Sequence, residues 1–260
     1  MAKLIGIAGD FQQENAIKRR LNAILSMMVV VIVIEIIAGC MVGYCFANRH
    51  TLMSVIPIPL AFVFAIIAFK NIGRRFDQQI RQARMEEIGA EGERSILPTL
   101  KKLPDTYTVV CDLDFADSYG NIDHLIIGPT GIFSIDVKNW KGTVAADGAG
   151  ELLLNGKPTD KPQVRNFTGR TMELKNRLKA LTRLDPFIQC LFVFPHTYLE
   201  ARWGTTGNVL CVDLDNIIPL ITKPNPARTL PSVDLSRLVS AVKALKETVA
   251  APQVTTQTVR

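Results

Sequence analysis

Two long apolar runs dominate the first part of the chain. Residues 23–47, "AILSMMVVVIVIEIIAGCMVGYCFA", contain Glu35 as their only formally charged residue, and residues 52–69 form a second run without charge. A helix needs about 20 apolar residues to cross roughly 30 Å of hydrocarbon. The pattern predicts two transmembrane helices joined by the short polar break "NRHT", which is a transmembrane hairpin over residues 23–69. A cleavable signal peptide is the alternative, but the first run exceeds a signal core and a second run follows it.

The charges that flank the two runs predict their orientation. The loop between the runs offers only Arg49, whereas basic residues precede the first run and follow the second. These flanking residues are Lys18, Arg19, Arg20, Lys70, Arg74 and Arg75. Because basic residues stay on the cytoplasmic side, we expect a multi-pass protein of a bacterial inner (cell) membrane with both termini and the main domain in the cytoplasm.

The segments beside the hairpin are predicted to be helical. Residues 1–22, which include part of "FQQENAIKRRLNAIL", favour an amphipathic helix at the membrane interface. Residues 70–90 predict a charged helical stalk that is interrupted at Gly89. A new helix is expected near Gly92, kinked or delayed by Pro98. Glu35, in mid-span, favours a helix contact over an ion path because no second charged residue accompanies it.

Residues 91–248 show the pattern of one α/β domain. Alternating and β-branched positions predict strands at residues 107–113 and along residues 121–140, and "IQCLFVFP" and "NVLCVDL" predict buried strands. Helices are predicted over residues 163–184 and 232–248. The first has apolar residues at helical spacing: Phe167, Leu174, Leu178 and Leu181. This order predicts a sheet with helices on its faces, followed by a disordered tail at residues 249–260.

Charge and cysteine content narrow the partners and the compartment. The chain of 260 residues has 30 Lys and Arg against 24 Asp and Glu, a net charge of +6, which suits nucleic acid or an acidic membrane surface. Five scattered cysteines show neither a disulfide framework nor zinc spacing, so a reducing compartment is expected. The sequence contains no glycine-rich phosphate loop and no nucleophilic triad motif.

The stretch "NIDHLIIGPTGIFSIDVKNW" places two aspartates in otherwise apolar strands. If "GPTG" is a two-residue turn that pairs Gly128 with Gly131, Asp123 lies opposite Asp136 on one face. Like charges at such a position repel. A divalent cation between the two carboxylates would reverse the sign of that interaction. A bulge favoured by Pro129 would instead shift the register by one residue and separate the pair.

Lys138 completes a set that suits metal-assisted hydrolysis of a phosphodiester. It lies two residues beyond Asp136, so its ammonium group returns to the same face. Carboxylates hold a hard cation, the cation polarises the phosphate and activates water, and the lysine orients that water or neutralises developing charge. The opposite face carries residues suited to a core: Ile122, Ile126, Phe133, Ile135 and Val137.

With three flanking pieces, this stretch resembles the nuclease-related domain (NERD) family, which is similar to the PD-(D/E)xK restriction-endonuclease-like fold. The central stretch and its three flanking pieces are "GAEGERSIL", "NIDHLIIGPTGIFSIDVKNWKG", "KPQVRNF" and "LFVFP" in chain order. Together they cover roughly residues 85–200. The resemblance implies a restriction-endonuclease-like mixed sheet flanked by helices, preceded here by the hairpin. It also implies nucleic acid, DNA before RNA, as the substrate.

The same resemblance implies the site residues. Glu93, Asp123 and Asp136 would bind Mg²⁺ or Mn²⁺, Asp136 and Lys138 would form the "D/E-x-K" pair, and Gln163 would supply a polar residue at the start of the next helix. The implied catalytic set is Glu93, Asp123, Asp136, Lys138 and Gln163. Glu91 competes with Glu93 for the helix role. Asp136 departs from the glutamate often found at that position, and its shorter arm would weaken the binding of metal.

Several other residues leave alternatives open. His124 points to the opposite face in this ladder, so a supporting role is favoured over direct catalysis, and Trp140 favours packing over base stacking. The basic residues near residues 161–183 suit a phosphate-contacting face, a solvated face or one over anionic lipid. We therefore keep two hypotheses for the function. The first is a membrane-anchored nuclease, and the second is a catalytically silent, membrane-anchored nucleic-acid-binding or scaffold module. The bilayer is a partner in both, a homo-oligomer or membrane complex is a further expected partner, and transport through Glu35 is a third hypothesis.

Overall fold

The computed structural model divides the chain into two compact units. One contains Met1–Asp10 and Gly89–Arg260, and the other contains Phe11–Ile88. The structure describes residues 1–47, 57–114, 120–201 and 209–250. Our predicted domain boundary at residue 90 stays a prediction, and the first ten residues are grouped separately from residues 11–88. They belong with the α/β unit.

The smaller unit is built from two long helices. Helix α1 (Asp10–Ala47) is long and apolar enough to cross a membrane, and Asp10–Met41 is the one candidate span among the described residues. Helix α2 is Pro57–Leu100. The polar break at residues 48–51 and the start of the second apolar run at residues 52–56 lie outside the described residues. The predicted two-helix hairpin is therefore not confirmed.

Ion pairs and apolar contacts place the two helices side by side within this unit. Arg19 of α1 lies 2.7 Å from Glu86 of α2, and Arg20 lies 2.7 Å from Glu87. Farther along α1, Ile34 lines a groove together with Ile66 and other residues of α2. Since residue numbers rise along α1 while those of the contacting residues fall along α2, the two helices run antiparallel.

Helix α2 is longer than predicted, because neither Gly89 nor Pro98 ends it. A close contact requires glycine at position 92 of this helix. A Cβ atom on Gly92 would lie only 2.6 Å from the Cβ of Asn139. Pro98 lies in the last turn, where Ile96 and Leu100 are fully buried. The burial of this apolar face offsets the hydrogen bond that proline removes.

In the part of the chain that the structure describes, ten strands form two sheets. The strands are β1 (Lys3–Ile5), β2 (Thr108–Leu113), β3 (Ile122–Gly128), β4 (Gly131–Val137), β5 (Thr143–Ala146), β6 (Leu152–Leu154), β7 (Lys157–Pro158), β8 (Ile188–Phe194), β9 (Tyr198–Leu199) and β10 (Val209–Asp213). The main sheet has the order β1-β2-β3-β4-β8-β10, and the smaller sheet has the order β7-β6-β5-β9. In the main sheet β2, β3 and β4 are antiparallel, whereas the other neighbours are parallel.

Helices cover both faces of the main sheet, which confirms the predicted mixed α/β architecture. The C-terminal turns of α2 and helix α4 (Ile217–Thr222) pack on one face. Helices α3 (Gln163–Thr182) and α5 (Ser232–Ala250) pack on the other. Leu181 of α3 is 55% exposed, so its predicted burial is wrong. Thr171 and Thr182 are buried on α3 instead, because their hydroxyls find hydrogen-bond acceptors in the protein.

The predicted register of the "GPTG" hairpin is confirmed. Gly128 pairs with Gly131, and the ladder continues to the pair His124 and Ile135 without a bulge. The turn keeps this register because Gly131 adopts a φ of 132°, which glycine tolerates. Ile122 differs from the prediction, since it packs with the α3 and α5 face. Its partner across the ladder is Leu113, and the preceding residue, Asp112, has a φ of 48°, which interrupts the alternation of faces there.

The first ten residues are the largest departure from the predicted fold. We expected residues 1–22 to form an interfacial amphipathic helix, but Lys3–Ile5 form edge strand β1 and helix α1 begins only at Asp10. Strand β1 is parallel to β2, with Lys3 opposite Thr108 and Ile5 opposite Val110. The predicted tail lies mostly outside the described residues, since α5 continues to Ala250.

Candidate active site

Asp123 and Asp136 meet at one end of the β3–β4 ladder. The β3–β4 ladder pairs His124 with Ile135, and Asp123 and Asp136 each lie one residue beyond this pair on their strands. The Val137 N–H donates to Oδ2 of Asp123 over 2.7 Å, which fixes that carboxylate at the end of β4. Asp123 is 5% exposed and Asp136 is 4% exposed. Two buried carboxylates therefore lie near each other at this end of the ladder, and their binding of one cation stays a prediction.

Two cations hold Asp136. The Lys138 ammonium lies 2.6 Å from its Oδ1, and the Arg170 guanidinium donates to its Oδ2. Lys138 is 17% exposed and lies above the ring of Phe192, with 5.5 Å from Nζ to the ring centroid. The prediction that Lys138 shares a face with Asp136 is confirmed.

The sequence did not identify Arg170 as a residue that contacts Asp136. We counted it among the basic residues of the α3 segment, but its side chain is only 15% exposed and also donates to the backbone oxygen of Asn121 over 3.0 Å. Thr171 beside it bonds Ser134, two residues before Asp136, with 3.1 Å between the hydroxyl oxygens. The only available sequence signal was its position three residues beyond the buried Phe167, one helical turn along α3.

Glu93 brings a third carboxylate from α2. Its side chain is fully buried, whereas Glu91 is exposed, and the assignment of the helix role to Glu93 stays a prediction. Burial, followed by the charges of Asp123, Asp112 and Asp136, raises the pKa of Glu93 to about 10, and a hydrogen bond from the Gly9 N–H opposes this rise. Metal-free Glu93 therefore carries its proton at neutral pH.

His124 supports α2 from the opposite side of β3. Its Nε2 lies 3.2 Å from the backbone oxygen of Glu93. Burial lowers the pKa of His124 to about 4, so the ring is neutral near pH 7 and Nε2 carries the donated hydrogen. This contact agrees with the supporting role that we favoured for His124.

Asp112 is a fourth buried carboxylate, and the sequence reasoning did not single it out. Its Oδ1 accepts from the side-chain amide of Asn121 over 2.9 Å, and its Oδ2 accepts from the Asp10 N–H over 2.6 Å. Lys246 of α5 donates to its backbone oxygen over 2.9 Å. The backbone of Asp112 is left-handed, with φ 48°, which is uncommon inside a strand. No local sequence pattern signals that conformation.

Burial, together with the neighbouring charge of Asp136, raises the pKa of Asp123 to about 7. The Val137 amide, Lys138 and Arg170 oppose this rise. An ordinary aspartate pKa is 3.8, so between about pH 4 and pH 7 the folded chain binds more protons than the unfolded chain. The stability contributed by this proton is complete below pH 4 and declines as the pH rises towards 7.

Asp123 therefore contributes a falling free energy of unfolding between pH 4 and pH 7, and we predict that Asp123→Asn gives the metal-free protein a more positive slope over this range than the wild type has. Unfolding by urea, with chelator present at each pH, measures the effect. Asp105→Asn, at an exposed aspartate, is the control and should leave the slope as in the wild type. Parallel pH profiles for wild type and Asp123→Asn would contradict the prediction.

The donor chemistry of the site fits a hard divalent cation. Carboxylate oxygens are the ligands that Mg²⁺ and Mn²⁺ prefer, and Asp123, Asp136 and Glu93 supply them. Among the described residues, however, no group of three or more His, Cys, Asp or Glu side chains forms a ready-made metal site. Since Lys138 and Arg170 already contact Asp136, a cation would compete with them for its oxygens.

Gln163 is the first residue of α3 and is partly buried. Glu151 caps this helix, because its carboxylate accepts from the N–H groups of Val164 and Arg165, each over 2.9 Å. Spacing puts Gln163 on the side of α3 that carries Phe167 and Arg170. A site role for Gln163 stays a prediction.

Two further interpretations concern residues near the site. Trp140 packs against Phe194 with 5.8 Å between ring centroids, which agrees with packing rather than base stacking. The basic residues of the α3 segment do not form one free face, because Lys175 and Lys179 pair with Asp185 and Arg177 pairs with Glu173.

Comparison with known proteins adds one match. A family model of the nuclease-related domain (NERD) matches residues 88–195. No curated protein and no solved structure matches the chain. The matched segment begins in α2 ahead of Glu93 and ends just after β8, so it includes Asp123, Asp136 and Lys138. Residues 88–195 of this chain therefore match the nuclease-related domain family.

Proposed function

We propose that the chain is a membrane-anchored nuclease that hydrolyses phosphodiester bonds of DNA, with RNA as the alternative substrate, using a divalent metal ion. The proposal is supported by the burial of Asp123 and Asp136 near each other, with Lys138 paired to Asp136, inside the segment that matches the nuclease-related domain. Buried like charges are costly unless a cation or a proton offsets them. A hard cation bound between the carboxylates would offset this cost.

The carboxylates of Asp123, Asp136 and Glu93 are the proposed metal ligands. When bound, Mg²⁺ or Mn²⁺ lowers the pKa of a water molecule and polarises the phosphodiester. The Val137 N–H orients Asp123, and the Arg170 guanidinium orients Asp136. Asp123 and Asp136 are thus preorganised before substrate arrives, which avoids reorganisation during the reaction.

Lys138 and α3 are proposed to handle the substrate. The Lys138 ammonium neutralises charge that develops on the scissile phosphate, because it is the cation next to Asp136 that extends from the end of β4. Gln163 is proposed to contact the nucleic-acid backbone from the first turn of α3. Lys161 and Arg165, both exposed near that turn, supply phosphate contacts.

The bilayer is the second proposed partner. The apolar length of α1 supports anchoring, and the antiparallel packing of α1 and α2 supports a hairpin. The basic residues at both outer ends of the predicted hairpin favour a cytoplasmic location for the nuclease-related domain in a bacterial inner membrane. Tethering would restrict the enzyme to nucleic acid that reaches the membrane surface.

The test uses the whole chain in detergent micelles. A truncated chain without its N-terminal part would lose β1, which is a strand of the main sheet. Single-stranded DNA, double-stranded DNA and RNA are each incubated with Mg²⁺, with Mn²⁺ and with chelator. We expect cleavage of at least one substrate that requires the metal and is lost in Asp123→Asn. A lack of cleavage of all three substrates with both metals would contradict the proposal.

A catalytically silent, membrane-anchored nucleic-acid-binding or scaffold module is the second candidate. It is favoured by the pairing of both Asp136 oxygens with Lys138 and Arg170, which neutralises this carboxylate without any metal. Salt-sensitive DNA binding that is unchanged by chelator and by Asp123→Asn, without cleavage, would support this candidate over the nuclease.

A further inference from the structure

The N-terminal arm, defined as Lys3 to Asp10, lies against the carboxylate site although it precedes Glu93 by more than 80 residues in sequence. Strand β1 extends the main sheet beside β2, and the Lys3 N–H donates to the backbone oxygen of Tyr107 over 3.0 Å. Ala8 is 1% exposed and belongs to the core on the α2 face. The arm is therefore anchored at both ends.

Two successive backbone amides of the arm reach two site carboxylates. The Gly9 N–H donates to the Glu93 carboxylate, and the Asp10 N–H donates to Oδ2 of Asp112 over 2.6 Å. Gly9 has a φ of 71°, and a Cβ atom there would lie 2.8 Å from the backbone oxygen of Ala90 and 2.9 Å from its Cα. Both the backbone conformation and the contact with α2 therefore require glycine.

Hydrogen bonds continue from the arm to Asp136. Asp112, held by Asp10, accepts from the Asn121 side chain, and the Asn121 backbone oxygen accepts from Arg170, which in turn donates to Asp136. Each link is a partly or fully buried hydrogen bond, and such bonds are costly to leave unmade. Asp112 also holds a left-handed backbone inside a strand, a strain that persists only when its surroundings enforce it.

We infer that the N-terminal arm and Asp112 are positioning elements of the site, which hold Glu93 directly and Asp136 through Asn121 and Arg170. This inference rests on the proposed function for its purpose, since it concerns the same carboxylates. The arm lies outside the family-model match at residues 88–195 and leads directly into α1. The site is thus completed by the segment that begins the candidate membrane helix.

Amide hydrogen exchange of the whole, metal-free chain in detergent micelles tests the inference. Gly9→Ala and Asp112→Asn should each speed exchange of the segment 134–140, at the far end of the network, by about tenfold, the effect of losing one buried hydrogen bond. Gly148→Ala is the control for the first variant, because Gly148 has a φ of 79° with open space around it. Asp147→Asn is the control for the second, because Asp147 also accepts backbone amides, at 2.7 and 2.9 Å, but is exposed.

Mn²⁺ affinity, measured by the paramagnetic resonance of free Mn²⁺, is the second readout. We expect it to fall by about 10- to 100-fold in Gly9→Ala and Asp112→Asn, as for other residues that orient metal ligands, and to be unchanged in the two controls. Faster exchange at residues 134–140 without Mn²⁺ binding by the wild type would support the positioning role and count against the metal site. If both variants show wild-type exchange in that segment, the inference is overturned whatever the metal result. Asp112→Asn preserves side-chain shape, so it decides the matter if Gly9→Ala does not fold.

Discussion

Replacing Lys138 by alanine should lower the rate of nucleic-acid cleavage by a factor of roughly 10²–10³, the usual effect of removing one group that stabilises transition-state charge. The fold should survive, because Arg170 still pairs with Asp136 after Lys138 is removed. A fluorescent nuclease assay with Mg²⁺ or Mn²⁺, together with thermal unfolding of each variant, measures both quantities.

Lys141→Ala is the matched control for this experiment. Lys141 lies three residues beyond Lys138 in the same segment, but it is exposed. We expect its cleavage rate to stay within about twofold of the wild type, as for a rim charge that affects binding more than chemistry. A Lys138→Ala protein that cleaves at the wild-type rate would remove Lys138 from the proposed mechanism. Equal losses in the two variants would point to general charge rather than to a site residue.

Asp136→Ala should lower the free energy of unfolding by about 3–5 kcal/mol, because it leaves the Lys138 and Arg170 cations buried together without their shared carboxylate. Their side chains are 17% and 15% exposed, so water screens their mutual repulsion only weakly. Denaturant unfolding in metal-free buffer checks this value, and Asp136→Asn should destabilise less because the amide oxygen still accepts one hydrogen bond.

Asp185→Ala provides a control with the same kind of partners. Asp185 also lies between two basic residues, 3.2 Å from Lys175 and 3.4 Å from Lys179, but its side chain is 57% exposed. Exposed pairs contribute little to stability, so the unfolding midpoint of this variant should stay close to that of the wild type. Similar midpoints for Asp136→Ala and the wild type would show that the Asp136 cluster is not a buried charge network.

Local patterns were enough to predict much of the main sheet. The "GPTG" turn fixes the β3–β4 register because Gly131 accepts a positive φ, and a period of two then carries Asp123, Asp136 and Lys138 to one face. Helix α3 was predicted from apolar spacing alone, with the bounds correct at its start and two residues long at its end. These features depend on residues close together in sequence.

The features that were missed depend on contacts between distant residues. Strand β1 has three residues and pairs with a strand about 100 residues later, so no local periodicity identifies it. Gly89 and Pro98 suggested helix breaks, but burial of α2 against the sheet overrides those weak local preferences. Arg170 resembles any other basic residue of an exposed helix until the fold sets it against Asp136.

The proposal of a metal-dependent nuclease depends on a divalent cation binding between Asp123 and Asp136. Calorimetric titration of the whole chain with Mn²⁺, wild type against Asp123→Asn, tests that binding before any substrate is known. We expect a saturable isotherm in the wild type that is lost in Asp123→Asn, while the variant keeps the wild-type circular dichroism spectrum. Identical isotherms for the two proteins, or no binding by the wild type, would contradict a metal site at this pair.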